Sequence, residues 1–458
     1  MKKALSVACI LFSISLYAQD FWTEFSTAQP TPSTGVSSIS IVSNTTTWLS
    51  MSCGTVGCTP IRRYAKTING GNSWTTQEID LGPDTNKLLI ANIAGVSDQV
   101  AYAAVYPNAN NVFGGIWQTT DGGNSWQKQN SAAFSTPIYS FPDLVHFWDA
   151  DRGVTIGDAT DGYFEIYTTA DGGNNWSRVP MSASLVPLVD YEYGVMGGFT
   201  VNGNSLWAFT TFGRIIRTTD RGLTWSVFQS PIPDTPCCFC DPNLRPTLAF
   251  TDENNGLLLS TDYQLFKTSD GGATWEIVEW SGVLRDFNIA NIPGVPNAYI
   301  CLGNDFDSGF ERGSSYTIDG GQTWININNN PDLVHVNGSR ISMLNEDFGF
   351  AGGFSNSPTE GGIFRWGGGP MLRNAILAQQ GFEVKASISI TPNPARDRVY
   401  LQTDQKITEV KLYDLTGRLA LQLHNPGKTI PLNALSSGVY ILEISTSKGT
   451  ITQKLVKE

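Results

Sequence analysis

The chain has 458 residues, room for two to four domains at roughly 100–200 residues each. With 46 Gly, 23 Pro and 11% aromatics but only 15% charged residues, it is neither a disordered chain nor a coiled coil, and the composition points to an all-β protein with many Gly-bearing turns. A net charge of −12 without any basic run argues against nucleic acid or anionic lipid as a partner, since both are bound through Lys/Arg patches.

Met1-Lys2-Lys3 precedes an apolar run from Ala4 to Ala18, which ends on a small residue before Gln19-Asp20. Residues 1–18 therefore read as a secretory signal peptide. No later apolar stretch is long enough for a transmembrane span. Cys9 lies in the middle of the apolar run, which argues against a lipoprotein anchor. Cleavage leaves Cys53, Cys58, Cys237, Cys238, Cys240 and Cys301, an even set of candidate disulfide partners with 15 pairings. Cys53 and Cys58 flank a Gly-bearing turn suited to a local bridge. Cys237, Cys238 and Cys240 also offer soft-metal thiolates, but no second spaced pair lies nearby, so disulfides are favoured and no metal or cofactor is expected.

One octad recurs six times: Thr67–Trp74, Thr119–Trp126, Thr169–Trp176, Thr218–Trp225, Thr268–Trp275 and Thr317–Trp324. Its tryptophans are 52, 50, 49, 50 and 49 residues apart, a period that points to propeller blades or another repeat array. The third position is Asn69, Asp121, Asp171, Asp220, Asp270 or Asp319, whose side chain can accept amide hydrogen bonds across a tight turn. Thr at the first position can brace it, and Gly at the fifth supplies angles that a Cβ would forbid. Trp74, Trp126, Trp176, Trp225, Trp275 and Trp324 at the eighth position offer apolar anchors. Each octad is expected to be the hairpin turn between a blade's last two strands. Six copies spread around a ring cannot serve one catalytic or calcium site, so the role is structural. A looser pattern, Phe147–Gly153, Phe250–Gly256 and Met343–Gly349, marks inner hairpin turns.

Residues 21–368 span 348 positions, room for about seven units of this period. Ile341–Trp366 reads as three strands with no octad, and Phe21–Phe25 as a lone strand. Adding the lone strand to the last unit removes two exposed sheet edges and predicts seven blades closed by an N-terminal strand. The octads resemble the Asp-box (BNR) repeats of propellers such as sialidases, sortilin and photosystem II assembly-factor-like proteins. That resemblance covers residues 19–368 and implies a fold rather than a function, because such propellers include enzymes and binding proteins alike.

Gly367-Gly368-Gly369-Pro370 breaks the repeat and opens a linker over 369–386, with one helical turn expected near Met371–Gln380. From Ser387 onward there are nine Lys/Arg against six Asp/Glu, a reversal of charge sign. Ile388–Ala395, Val399–Leu401, Val410–Arg418, Leu419–Leu423, Leu435–Ile444 and Ile451–Val456 read as strands and turns of a small β-sandwich. Pro392-Asn393-Pro394, Tyr413-Asp414 with Gly417, Gly438-Val439-Tyr440 and the closing Lys454–Lys457 resemble the C-terminal sorting domain of type IX secretion substrates. The resemblance implies export through the periplasm to the cell surface or medium, with the type IX machinery as a partner.

No catalytic residue can be nominated. A sialidase needs an Arg-Ile-Pro-type motif before the first repeat, where this chain has Arg62-Arg63-Tyr64; Arg178-Val179-Pro180 follows the third octad instead. His146 and His335 echo each other in Pro-Asp-Leu-Val-His, but their spacings to the following turn differ, which argues against a metal pair. Asp305, Asp307, Asp158 and Asp161 lack the spacing of a calcium loop. Nothing resembles a nucleophile elbow or a phosphate loop. The favoured reading is a secreted, non-catalytic propeller that binds a protein or glycan, with Gln229–Arg245 rimming one face; the alternative is an extracellular glycoside hydrolase using two opposed carboxylates.

Overall fold

Period-2 apolar segments punctuated by glycine turns fold into antiparallel sheets of four strands. The computed structural model describes residues 21–458 except 56, 135–139, 233–245, 261–262, 286, 304–311, 328–339, 369–388, 404–405, 415–417 and 447–448. The signal-peptide region, the linker, His335, Asp305, Asp307, Cys237, Cys238 and Cys240 all lie outside the described residues, as does most of Gln229–Arg245. The chain divides into two units, Met1–Gly369 and Pro370–Glu458.

In the first unit, sheet 1 comprises Thr34–Ile41, Thr47–Cys53, Arg63–Thr67 and Thr75–Glu78. Sheet 2 is Leu88–Gly95, Ala101–Pro107, Gly115–Thr119 and Gln127–Lys128. Sheet 3 is Pro142–Phe147, Gly153–Thr160, Tyr163–Thr169 and Ser177–Arg178. Sheet 4 is Gly194–Asn202, Ser205–Thr210, Arg214–Thr218 and Ser226–Gln229. Sheet 5 is Thr247–Phe250, Gly256–Leu259, Leu265–Thr268 and Glu276–Ile277. Sheet 6 is Asn288–Asn291, Tyr299–Gly303, Gly313–Thr317 and Thr323–Asn326, with Ser281–Gly282 added in parallel at its edge. The last set, sheet 7, joins Ile341–Asn345, Phe348–Ser357 and Glu360–Trp366 to the N-terminal strand Trp22–Ser26, which pairs Trp22 with Trp366 and Ser26 with Gly362. Sheets 7 and 1 also touch in register at Gly35 and Phe354.

Apolar faces join the sheets in sequence. Trp48 and Tyr64 of sheet 1 pack with Ala103 and Trp117 of sheet 2, Tyr102 of sheet 2 with Phe147 of sheet 3, and Leu144 of sheet 3 with Leu206 of sheet 4. Trp207 of sheet 4 stacks on Phe250 of sheet 5 with ring centroids 3.9 Å apart, and Leu257 of sheet 5 packs with Tyr299 of sheet 6. The indole N–H of Trp22 in sheet 7 donates to Ser314 Oγ of sheet 6 at 2.8 Å. Phe350 and Ile363 of sheet 7 complete the series against Leu49 and Trp74 of sheet 1. This is an all-β propeller; among the described residues the only helical turns are the short ones at Thr85–Lys87 and Ala183–Leu185.

The second unit has a three-stranded sheet, Ser389–Thr391, Arg398–Gln402 and Thr429–Pro431, and a four-stranded one, Leu419–His424, Ile407–Asp414, Gly438–Thr446 and Gly449–Lys457. Val399, Leu401, Val410, Leu412, Ile430 and Leu442 are buried between them.

Candidate functional site

The octads occupy the turn between the third and fourth strands of sheets 1 to 6. In each, the Thr hydroxyl donates to the Asp or Asn Oδ1, as Thr119 does to Asp121 at 2.9 Å, and accepts from the fifth-position amide, as from Gly123 at 2.9 Å. The same Oδ1 accepts the seventh-position amide (Ser125 at 2.9 Å), and Ser125 Oγ donates to Oδ2 at 2.7 Å. These hydrogen bonds, led by the Ser125 hydroxyl, hold Asp121 down at about 2; the Thr274 hydroxyl does the same for Asp270. The aspartates are thus committed as acceptors within their own turns. Asn69, in the first octad, accepts the Ser73 amide at 3.0 Å in the same way.

The fifth glycine has a positive φ in every copy, 97° at Gly123. It also admits the neighbouring sheet, because a Cβ there would lie 2.1 Å from the Tyr64 hydroxyl. Trp74, Trp126, Trp176 and Trp324 are buried, whereas Trp225 and Trp275 are partly exposed and donate to their own turn carbonyls, Gly222 and Gly272, at 3.0 Å.

Two further contacts were not anticipated from sequence. The fourth-position amide of every octad donates to a carbonyl of the same sheet's first hairpin, as Gly172 does to Asp151 at 2.9 Å. At four interfaces the next-to-last residue of a sheet's third strand reaches into the next sheet's octad turn. Arg365 donates to Gly70 O at 2.9 Å, Lys66 to Gly122 O at 2.7 Å, Gln118 to Gly172 O at 3.4 Å and Arg217 to Asp270 O at 3.3 Å. The legible signal was the long polar side chain that precedes most of the octads.

Cys53 and Cys58 form a disulfide across the connection between the second and third strands of sheet 1, with Cα atoms 6.4 Å apart. Cys301 has no part in that bridge: its sulfur is buried between sheets and accepts the Arg285 amide at 3.3 Å, and its other candidate partners, Cys237, Cys238 and Cys240, lie outside the described residues. Asp158 and Asp161 do not converge. Asp161 lies at an exposed turn and pairs with Arg178 at 3.0 Å, whereas Asp158 is buried and accepts the Gly194 amide at 2.8 Å. Burial, reinforced by Glu165, pushes Asp158 up to about 8. Glu165 is buried too, held by Ser140, by Thr160 at 3.2 Å and by Tyr167 at 2.7 Å. Burial likewise lowers His146 to about 4, leaving a neutral ring edge-on to Trp148. Among the described residues no three His, Cys, Asp or Glu side chains are placed to hold a metal. Arg63 is spent on Glu78, and Arg62 on the carbonyls of Leu88 and Asn86 at 2.6 and 3.0 Å.

The face opposite the octads carries the connections between sheets and those between second and third strands. Three apolar side chains on the connection from sheet 3 to sheet 4 are about 60% exposed: Met181, Leu188 and Tyr191. The Tyr191 ring rests on Phe212 at 5.5 Å, next to the exposed Asp190. Phe113 and Tyr263, on corresponding connections of sheets 2 and 5, are also exposed.

Residues 389–458 match the family described as "Secretion system C-terminal sorting domain". The tail is therefore a sorting domain that directs export by type IX secretion to the cell surface or beyond. No match was found among curated proteins. Among solved structures, the chain is similar to YCF48 from Cyanidioschyzon merolae at 14% identity, covering 76% of this chain and 98% of that one with a TM-score of 0.51, a likeness of propeller fold. It is also similar to a structure described as "YCF48 bound to D1 peptide" (18% identity, 76% and 97% coverage, TM-score 0.49). A third is PorZ, a type IX secretion component of Porphyromonas gingivalis (13% identity, 92% and 75% coverage, TM-score 0.31).

Proposed function

We propose that this chain is a secreted or cell-surface, non-catalytic binding propeller that engages a protein or glycan through the face opposite the octads. On this reading residues 1–18 are a signal peptide, 19–368 a seven-bladed ring closed by the N-terminal strand, 369–386 a linker and 387–458 the sorting tail. The pairing of Trp22–Ser26 with Glu360–Trp366, and the packing of sheet 7 on both sheet 6 and sheet 1, support the closed ring. The observation that carries the binding role is the exposed set Met181, Leu188 and Tyr191, apolar side chains gathered on one connection where a monomeric surface is ordinarily polar. The octad acids on the other face are engaged in their turns and are not available for chemistry.

The alternative, glycoside hydrolysis, calls for two carboxylates flanking an accessible bond. Asp158, whose carboxyl burial raises to about 8, is buried, as is the neighbouring Glu165, so neither faces an accessible bond. The mature chain, tested on glycan arrays and in hydrolysis assays, is expected to bind without turnover. Leu188→Ala combined with Tyr191→Ala is expected to weaken binding about tenfold or more, the scale of an aromatic hot spot. Bond cleavage by the wild type, or full binding by the double variant, contradicts the proposal.

A further inference from the structure

The contacts between successive sheets are closed in different ways: by the neutral Gln118 between sheets 2 and 3, by Arg221 of the octad reaching back to Asp149 at 2.6 Å between sheets 3 and 4, and by a cation from the preceding sheet at three other places. Where sheet 7 meets sheet 1, Arg365 fills the gap between octad and neighbour, donating to Gly70 O and to Asn72 Oδ1 at 2.7 Å. Where sheet 1 meets sheet 2, the Lys66 ammonium does so, reaching Gly122 O and also Asp98 O at 3.0 Å in the adjoining hairpin. Between sheets 4 and 5, Arg217 repeats the pattern on Asp270 O and on Glu253 O at 3.1 Å. For Lys66 and Arg217 the place is defined by two turn carbonyls, one from the octad and one from the first hairpin; Arg365 uses the octad carbonyl and the Asn72 side chain; in all three a long cationic side chain takes it. Two carbonyls and a nearby carboxylate match a guanidinium fork well.

Between sheets 5 and 6 the corresponding residue is Lys267, and it does not fill the place. Its ammonium pairs with Glu276 on its own sheet at 3.4 Å, and half of its side chain is exposed. Position 207, which supplies an indole donor to Gly271 O at 2.9 Å between sheets 4 and 5, is matched here by the aliphatic Leu257. Among the described residues no side chain donates to Gly320 O. A cleft of about 270 Å³ remains, lined by Lys267, Thr274, Glu276, Asn297, Asp319 and Gly320. Its size suits the end of one long side chain, and the acidic body of the protein favours a cation.

We infer that the cleft between sheets 5 and 6 is a binding site for an arginine side chain presented by a partner protein, which takes the place that Arg365, Lys66 and Arg217 fill from within the chain. It lies on the octad side of the sheets, so it is separate from the surface bearing Tyr191, and failure of one leaves the other standing.

The test uses the full-length mature chain and N-acetyl-arginine-N-methylamide, followed by saturation-transfer NMR at low ionic strength. The uncharged N-acetyl-citrulline-N-methylamide is the control. The arginine probe is expected to bind and the citrulline probe to bind at least fivefold more weakly. Lys267→Met, which removes the competing cation at an exposed position, is expected to tighten arginine binding about threefold. Glu276→Ala, which removes an acid and frees Lys267 to swing into the cleft, is expected to weaken it at least fivefold. Both positions are exposed, so folding is preserved. No saturation transfer with the wild type and Lys267→Met, equal binding of the two probes, or indifference to both substitutions overturns the inference.

Discussion

Asp158 shows how a single residue can oppose the stability of the sheet that holds it. A bulge interrupts the pairing of Gly153–Thr160 with Tyr163–Thr169 between Gly157 and Ala159 and places the Asp158 carboxyl in the interior. There it faces the Gly194 amide, with Glu165 near on its own sheet; Asp143 crowds the same glycine, since a Cβ on Gly194 would lie 2.0 Å from Asp143 Oδ2. Burial raises Asp158 from the ordinary carboxyl range to about 8. The folded state therefore keeps a proton that the unfolded chain releases near pH 4, so this stabilisation is full below pH 4 and is lost as pH rises toward 8. Asp158→Asn retains an acceptor for Gly194 and removes the titration. It is expected to leave stability near pH 4 unchanged and to raise it at pH 8 by about 2 kcal/mol or more, at 1.4 kcal/mol per pKa unit. Denaturant unfolding at both pH values checks this; equal stability of variant and wild type at pH 8 contradicts it. Sequence alone placed Asp158 among clustered loop oxygens, because spacing does not reveal that a bulge turns one acid inward while Asp161, at the hairpin tip, stays in solvent.

At the scale of the element, the octads were the most legible part of the chain. A Thr, an Asp or Asn, a Gly and a Trp at fixed positions specify one turn, since its hydrogen bonds are all local and each residue type has one physical use there. The contacts between sheets were harder to read, because they join residues 53 to 56 apart, or 295 apart where sheet 7 meets sheet 1, and their side chains differ from copy to copy: Lys66, Gln118, Arg217 and Arg365. The tryptophans divide for a similar reason. Trp324 is 2% exposed and packs with Leu257 and Leu265 of the preceding sheet, whereas Trp275 is partly exposed. Trp324→Ala is expected to cost about 3–5 kcal/mol, the range for truncating a buried aromatic. Trp275→Ala is expected to cost distinctly less, although the two occupy the same octad position. Chemical denaturation of both variants compares them directly, and an equal loss contradicts the packing described.

At the scale of the whole molecule, charge, period and strand pattern all change near residue 387, and the chain divides into Met1–Gly369 and Pro370–Glu458. The tail has its own buried core, with Val399, Val410, Leu412, Ile430 and Leu442 fully enclosed. Each unit has a core of its own, so the propeller is expected to fold without the tail. The sorting domain was legible because its motifs recur in order along some 70 residues. A ligand for the propeller was not, because binding surfaces are assembled from connections whose sequences follow no period. The most direct test of a binding propeller carried outward by a separable tail is to delete residues 388–458 and follow the product by cell fractionation and thermal melting in a host with type IX secretion. The expected result is a folded propeller retained in the periplasm, its melting temperature within about 2 °C of the propeller transition in the full chain, a shift that corresponds to about 1 kcal/mol. Tail-deleted protein reaching the cell surface, or a propeller that no longer melts cooperatively, contradicts the account.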